Sequence, residues 1–106
     1  MDANVRMCLE AKKCFVANLS GALSGFTGVG GIKNVRYEAW ELEKYGDIQE
    51  WLIITFNGGA ISVRNVNIDS HSAILREIGQ MCDGGYYKEV EDYKKMTENK
   101  NWKQII

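Results

Sequence analysis

The chain has 106 residues and a formal net charge of −1, with 45% hydrophobic and 25% charged residues. Its length is typical of one domain, and its apolar fraction is sufficient for a folded core, which excludes a disordered chain. The small net charge excludes an overall field that would recruit nucleic acid or anionic lipid. No apolar run approaches the ~20 residues of a membrane span, and the N-terminus lacks the apolar core of a signal peptide. We therefore expect one cytoplasmic domain spanning residues 1–106.

Three cysteines and one histidine are the residues on which redox, metal or nucleophilic chemistry would depend. Cys8, Cys14 and Cys82 are odd in number and widely spaced, so they predict buried, reduced thiols and not a disulfide framework. Five residues separate Cys8 from Cys14, and one histidine cannot complete a structural zinc site with them. The acidic residues lack the ordered spacing of a calcium-binding loop. We expect no metal and no cofactor.

The first segment has the spacing of a helix. Asp2 or Asn4 is a suitable cap. Apolar residues recur at near-helical intervals at Val5, Cys8, Leu9, Phe15, Val16, Leu19 and Leu23. The charged residues Arg6, Glu10, Lys12 and Lys13 are predicted to lie largely on the opposite side. The helix is expected to end at or before the glycine-rich stretch 21–31, which lacks the Gly-Lys-Ser/Thr ending of a phosphate-binding loop and is interpreted as a connector.

An alternating pattern follows. Residues 33 to about 43 predict a partly solvated strand, and two β-rich runs, 51–56 and 60–66, flank Asn57-Gly58-Gly59. This arrangement predicts a tight hairpin with a two-residue turn. Either choice of turn pair puts one apolar set on the same face: Leu52, Ile54, Phe56, Ile61 and Val63. The opposite face then carries Trp51 and Ile53.

Two helical patterns complete the chain. The first follows candidate caps at 69–72 and is expected to end at Gly84-Gly85; its apolar residues are Ile74, Leu75, Ile78, Met81 and Cys82. The second begins at about Tyr86, with Tyr86, Tyr87, Val90, Tyr93 and Met96 on one side. Residues 97–106 are expected to form a flexible or docking tail. The predicted fold class is α+β, a three-stranded antiparallel meander with an N-terminal helix and two C-terminal helices, in the order α-β-β-β-α-α.

The leading functional hypothesis is a non-catalytic protein-interaction module. Large apolar groups beside acidic residues are typical of interface centres. The candidate partner-binding residues are Trp40, Trp51, Ile53, Glu38, Glu41 and Glu43. They suggest a homodimer, or an adaptor or inhibitor of a larger and partly basic protein. The alternative is that the N-terminal helix covers this second sheet face within the same chain.

Two further hypotheses come from other functional classes. The order of one helix, three antiparallel strands and a helix also occurs in double-stranded-RNA-binding domains. However, the positions where those domains open the last helix with lysines read Asp-Ser-His-Ser here, so a nucleic-acid-binding function depends on Lys33, Arg36 and Arg64. A small enzyme would use a cysteine or His71, but we interpret His71 as a solvent-facing residue in a helix-capping segment, with Ser70 as a cap.

Overall fold

The computed structural model describes residues 2–23, 31–82 and 88–106. Within these ranges the chain forms α1 (Ala3–Leu23), β1 (Ile32–Leu42), β2 (Ile48–Phe56), β3 (Ile61–Val66), α2 (His71–Cys82), α3 (Lys88–Glu98) and β4 (Trp102–Gln104). The predicted α+β class and the order of its helices and meander strands are confirmed. The glycine-rich connector 24–30, the helix stop at Gly84-Gly85, and Tyr86 and Tyr87 lie outside the described residues.

The four strands form one antiparallel sheet in the order β3-β2-β1-β4. The strand β4 belongs to the segment interpreted as a flexible or docking tail, and docking is the alternative that the structure shows. It pairs with the end of β1, where Leu42 lies opposite Trp102. The main chain of Ala39 then bonds to Ile105 and Ile106, and the Ile106 side chain is buried. The C-terminal residues therefore dock on the sheet as a strand.

The hairpin between β2 and β3 has a different register from the predicted one. The Phe56 N–H donates to the Ala60 carbonyl at 2.8 Å, and the Gly59 N–H donates to the Phe56 carbonyl at 3.0 Å, so the loop has three residues. Gly59 has a φ of 91°, the left-handed conformation that closes a three-residue loop. The extra loop residue shifts the pairing by one position, which reverses the faces of β3.

The shifted register changes which side chains share each face of the sheet. Leu52, Ile54 and Phe56 are buried on one face, as predicted. Val63 pairs with Ile53, however, and both lie on the opposite face, so the prediction that Ile61 and Val63 join Leu52 was wrong. The second face is therefore more apolar than the sequence pattern indicated.

Helices cover both faces of the sheet. On the first face, Leu9 and Val16 of α1 and Ile74 and Ile78 of α2 join the core around Leu52. On the second face, α3 supplies an apolar side that includes the predicted residues Val90, Tyr93 and Met96. The sheet is the middle layer of three. The caps are Asp2, whose carboxylate accepts the Asn4 N–H at 2.7 Å, and Ser70, whose hydroxyl accepts the Ala73 N–H at 3.2 Å.

The charged residues of α1 divide between the sheet and the solvent. Lys12 is directed at the sheet, where its Nζ donates to Glu50 and to the Ile68 carbonyl at 2.7 and 2.8 Å. Arg6, Glu10 and Lys13 line a groove of about 500 Å³ between α1 and the C-terminal residues 104–106. The prediction that these charges lie largely opposite the sheet is wrong for Lys12, whereas Arg6, Glu10 and Lys13 are exposed, as predicted.

Candidate functional site

The aromatic residues predicted to bind a partner are covered by the chain itself. Trp51 is 2% exposed and Ile53 is 1% exposed, both beneath α3, and the Trp51 ring meets the Tyr93 ring edge-on at 5.4 Å between centroids. Trp40 is half-buried at the margin of this cluster. The expectation of an open second face was wrong, and so was the alternative that α1 covers it. Trp51 and Ile53 offer no surface to a partner while α3 is in place.

Glu38 is a buried carboxylate on this same face. Its Oε1 accepts hydrogen bonds from Trp40 Nε1 at 2.9 Å and from the Tyr93 hydroxyl at 2.5 Å, and its Oε2 accepts one from Arg36 Nε at 2.9 Å. Burial, together with the hydrogen bond to Glu38, raises the pKa of Tyr93 to about 12. Glu38 therefore links α3 to the sheet and does not form part of an acidic surface.

The raised pKa of Tyr93 predicts a loss of stability in alkali. Below pH 10.0, the usual pKa, both folded and unfolded states keep the proton and the full contribution is present. Between pH 10.0 and about 12 the unfolded chain loses the proton first, so the free energy of unfolding falls as pH rises. Urea unfolding across this interval should show a shallower fall for Tyr93→Phe than for the wild type. Parallel curves would contradict the burial of the Tyr93 hydroxyl.

A second, partly buried cluster of polar side chains lies on the first face. Glu50 Oε1 accepts hydrogen bonds from Lys12 Nζ at 2.7 Å and from the Tyr37 hydroxyl at 2.5 Å. Burial, and next the bond to Glu50, raises the pKa of Tyr37 above its ordinary value. Lys12 and Glu50 also line a mostly apolar groove of about 370 Å³ beside α1, with Val5, Cys8, Leu9, Asn4 and Ile48. This cluster fixes α1 on the sheet as Glu38 fixes α3.

The remaining acidic residues do not form the predicted rim. Glu41 is half-buried, and Glu43 is exposed and pairs with Lys103 at 2.7 Å between charged atoms. Glu38 lies beneath α3, as described above. The three acids of the predicted partner-binding set, Glu38, Glu41 and Glu43, therefore occupy three different environments.

The cations of the nucleic-acid hypothesis are likewise separated. Arg36 is on the second face and pairs with Glu38. Arg64 is on the first face, where it pairs with Glu77 of α2 at 2.8 Å. Lys33 is exposed and lies at the irregularity in the pairing of β1 with β2. Arg36 and Arg64 thus project from opposite faces and do not build the shared basic patch that this hypothesis needs.

The histidine and the three cysteines of the enzyme hypothesis lie in different environments. His71 is exposed, as predicted, and its ring stacks on that of Phe15 at 4.0 Å between centroids. Cys82 is buried, whereas Cys8 and Cys14 are exposed, so the prediction of buried thiols holds for Cys82 alone. Among the described residues, no group of three or more histidine, cysteine or acidic side chains is placed to hold a metal ion. In the same part of the chain, no helix has the length and apolar character to cross a membrane.

The outward side of α1 is the largest feature that the sequence analysis missed. Positions 3, 7, 11, 14 and 18 recur at intervals of four, four, three and four, so they form one side of the helix, and all are exposed. We call this the outer face of α1; its residues are Ala3, Met7, Ala11, Cys14 and Asn18. Met7 is 66% exposed. None of the five carries a charge: Lys12 is directed at the sheet, and the exposed Arg6, Glu10 and Lys13 lie along the groove that Cys14 also lines.

A sequence signal for the outer face did exist. Two apolar sets recur along α1 at helical spacing, one containing Leu9 and Val16 and the other containing Met7 and Ala11. The first set has larger side chains and is buried, as predicted. The second was overlooked because alanine and cysteine contribute little to a hydrophobic pattern.

Comparisons of this chain with protein-family models, with curated proteins and with solved structures found no match.

Proposed function

We propose that this chain is a non-catalytic protein-interaction module whose contact surface is the outer face of α1. The observation that supports this proposal is the distribution of charge on a helix of 21 residues. A surface helix normally turns its charged residues to water and its uncharged residues to the core. In α1 Lys12 is directed at the sheet and Arg6, Glu10 and Lys13 are exposed along one groove, so the five outer-face residues are an exposed side without charge. Contiguous exposed apolar surface is typical of interaction sites, and Met7, which is 66% exposed, is the large apolar residue of this face.

The polar side chains between the layers favour a binding function, because they hold α1 in place on the sheet. The buried carboxylate of Glu38 and the partly buried carboxylate of Glu50 accept hydrogen bonds that hold α3 and α1 on the sheet. These bonds attach a helix to each face of the sheet, and α1 is one of the two. The proposed module therefore presents one preformed helical surface, and a partner would bind it at low cost in conformational ordering.

The test is a charge placed at the centre of the outer face. Met7→Glu keeps good helix propensity but makes this face unsuitable for apolar contact, so it should release the chain from its complexes in an extract of its own cells. The measurement is the size distribution of the tagged chain by gel filtration. Leu75→Glu is the matched control, because Leu75 is 50% exposed and belongs to a different helix, α2. Identical profiles for the wild type and Met7→Glu would contradict the proposal.

A further inference from the structure

We infer that the groove between the N-terminal half of α1 and the start of β2 binds a free α-amino acid with an aliphatic side chain. We call it the Lys12–Glu50 groove; its volume is about 370 Å³, and it is lined by Asn4, Val5, Cys8, Leu9, Lys12, Ile48 and Glu50. None of these residues belongs to the outer face of α1, so this inference does not depend on the proposed function. It follows from the two charged groups that line the groove and from the aliphatic side chains beside them.

The two charged groups form an ion pair that is held in place by further bonds. Lys12 Nζ lies 2.7 Å from Glu50 Oε1, and the two side chains are only 18% and 14% exposed. Lys12 Nζ also donates to the Ile68 carbonyl at 2.8 Å, and the Tyr37 hydroxyl donates to the same Glu50 oxygen at 2.5 Å. Because each charged group has a partner besides the other, the ion pair is oriented before a ligand binds.

Both charged groups keep hydrogen-bonding capacity that the described residues do not use. An ammonium group donates three hydrogen bonds, and a carboxylate accepts on both of its oxygens. Lys12 makes two of its three bonds, and Glu50 Oε2 accepts none from the described part of the chain. Glu50 Oε2 is not enclosed by the protein, so a molecule in the groove can reach it. A cationic donor and an anionic acceptor are therefore available side by side.

This pair of opposite charges determines which charge a ligand can carry. A monoanion that approaches Lys12 also approaches the Glu50 carboxylate, and a monocation that approaches Glu50 also approaches the Lys12 ammonium. A neutral apolar molecule would remove water from both groups without replacing its hydrogen bonds, which is costly.

A zwitterion with adjacent charges satisfies both groups at once. Its ammonium donates to Glu50 Oε2, and its carboxylate accepts the third hydrogen bond of Lys12 Nζ. Every charge then adjoins an opposite charge, and hydrogen bonds between charged groups are the strong ones. A free α-amino acid carries its two charges on adjacent carbon atoms, whereas a longer peptide has its terminal charges far apart and does not match the ion pair.

The apolar lining of the groove favours an aliphatic side chain on this ligand. Leu9 is part of the first core, Ile48 packs against it, and Val5 is 41% exposed. None of the seven lining residues is aromatic. Small-molecule sites have volumes of about 300–1,000 Å³, with mostly apolar walls and a few fixed polar groups. A groove near the lower limit of this range suits a molecule of the size of leucine.

The first experiment is a titration of the purified full chain with leucine, followed by the backbone amide shifts in NMR spectra. We expect saturable shifts centred on residues 4–12 and 48–50. Three analogues test the contributions: 4-methylpentanoate lacks the ammonium, 3-methylbutylamine lacks the carboxylate, and glycine lacks the side chain. The two analogues with one charge should bind at least about tenfold more weakly than leucine, since each loses a charged hydrogen bond, and glycine should also bind more weakly. No saturable shift with leucine, or analogues that bind as tightly, would overturn the inference.

The second experiment changes the charge preference of the groove. Glu50→Gln keeps an oxygen acceptor for Lys12 and Tyr37 but removes the negative charge, so the Lys12 ammonium should favour an anion. We expect 4-methylpentanoate to bind this variant about three- to tenfold more tightly than leucine, the reverse of the order in the wild type. Circular dichroism establishes that the variant is folded. A folded Glu50→Gln variant that still prefers leucine would overturn the inference.

Val5→Ser tests the apolar wall without altering the ion pair. Because Val5 is exposed, the fold should be retained, and the dissociation constant for leucine should rise by about three- to tenfold through lost apolar contact. Leu75→Ser is the matched control, since Leu75 is 50% exposed on α2 and does not line the groove. Equal leucine affinities for Val5→Ser and Leu75→Ser would overturn the placement of the ligand. If Glu50→Gln does not fold, the leucine analogues and Val5→Ser still decide the inference.

Discussion

Replacing Trp51 with alanine is expected to lower the free energy of unfolding by about 3–5 kcal/mol, the usual cost of removing a fully buried large aromatic side chain. Trp51 is 2% exposed between the sheet and α3, in contact with the Tyr93 ring. The total free energy of unfolding of a domain of this size is about 5–15 kcal/mol, so this substitution should unfold a measurable fraction of the protein. Urea unfolding at 25 °C gives the difference.

Two further variants test whether the lost stability comes from the burial of the Trp51 ring. Trp51→Phe should cost much less than Trp51→Ala, because it keeps a ring in place and because the Trp51 Nε1 makes no hydrogen bond with the described residues. Tyr45→Ala is the exposed control, since Tyr45 is 75% exposed, and it should change the free energy of unfolding by less than about 0.5 kcal/mol. A loss of less than about 1 kcal/mol for Trp51→Ala would mean that α3 does not cover the second face.

The second large effect is expected from Glu38→Ala, at about 2–4 kcal/mol of lost stability. The Glu38 side chain is 9% exposed and accepts hydrogen bonds from Arg36, Trp40 and Tyr93. Its removal leaves three donors beneath or beside α3 without their acceptor, and such donors are costly when buried. Thermal or urea unfolding measures the loss.

Glu43→Ala is the matched control for Glu38→Ala. Glu43 belongs to the same acidic segment and also has a cationic partner, Lys103, but both side chains are more than half exposed. A surface ion pair of this kind contributes about 0–1 kcal/mol to the free energy of unfolding. A double-mutant cycle of Glu38→Ala with Tyr93→Phe should show coupling, because the two side chains share a hydrogen bond. Equal costs for Glu38→Ala and Glu43→Ala would contradict the placement of Glu38.

Much of the fold could be predicted from local patterns. The alternating, β-rich runs on either side of Asn57 and Gly58 predicted β2 and β3, and the periodic apolar residues after Ser70 predicted α2. Val90, Tyr93 and Met96 were correctly predicted to share one side of the last helix. In these segments the period of burial is the same as the period of the backbone, so the sequence reveals it directly.

The features that escaped prediction depend on single residues or on distant partners. Gly59 adds one residue to the hairpin loop, and that residue decides which face Val63 occupies. Lys12 is polar, yet it points to the sheet because Glu50, far along the chain, lies there. Short-range patterns contain neither the loop length nor the distant partner.

The same limits explain the misplaced interaction site. Trp40, Trp51 and Ile53 were correctly recognised as large apolar groups outside the first core. The helix that covers them is polar apart from one narrow side, and its docking on the second face could not be inferred from spacing. The candidate interaction surface is therefore the outer face of α1 and not the second face of the sheet.

Cysteine alkylation within the cell extract tests the proposed surface most directly, because Cys14 lies on the outer face of α1. Cys8 is also exposed but lines a different groove from Cys14, and Cys82 is buried, so Cys8 and Cys82 serve as the reactive and unreactive references. Mass spectrometry of the labelled chain should show Cys14 reacting readily in dilute purified protein and slowly, relative to Cys8, in the extract. An unchanged ratio of Cys14 to Cys8 labelling between the two conditions would contradict the proposal that the outer face is occupied in the cell.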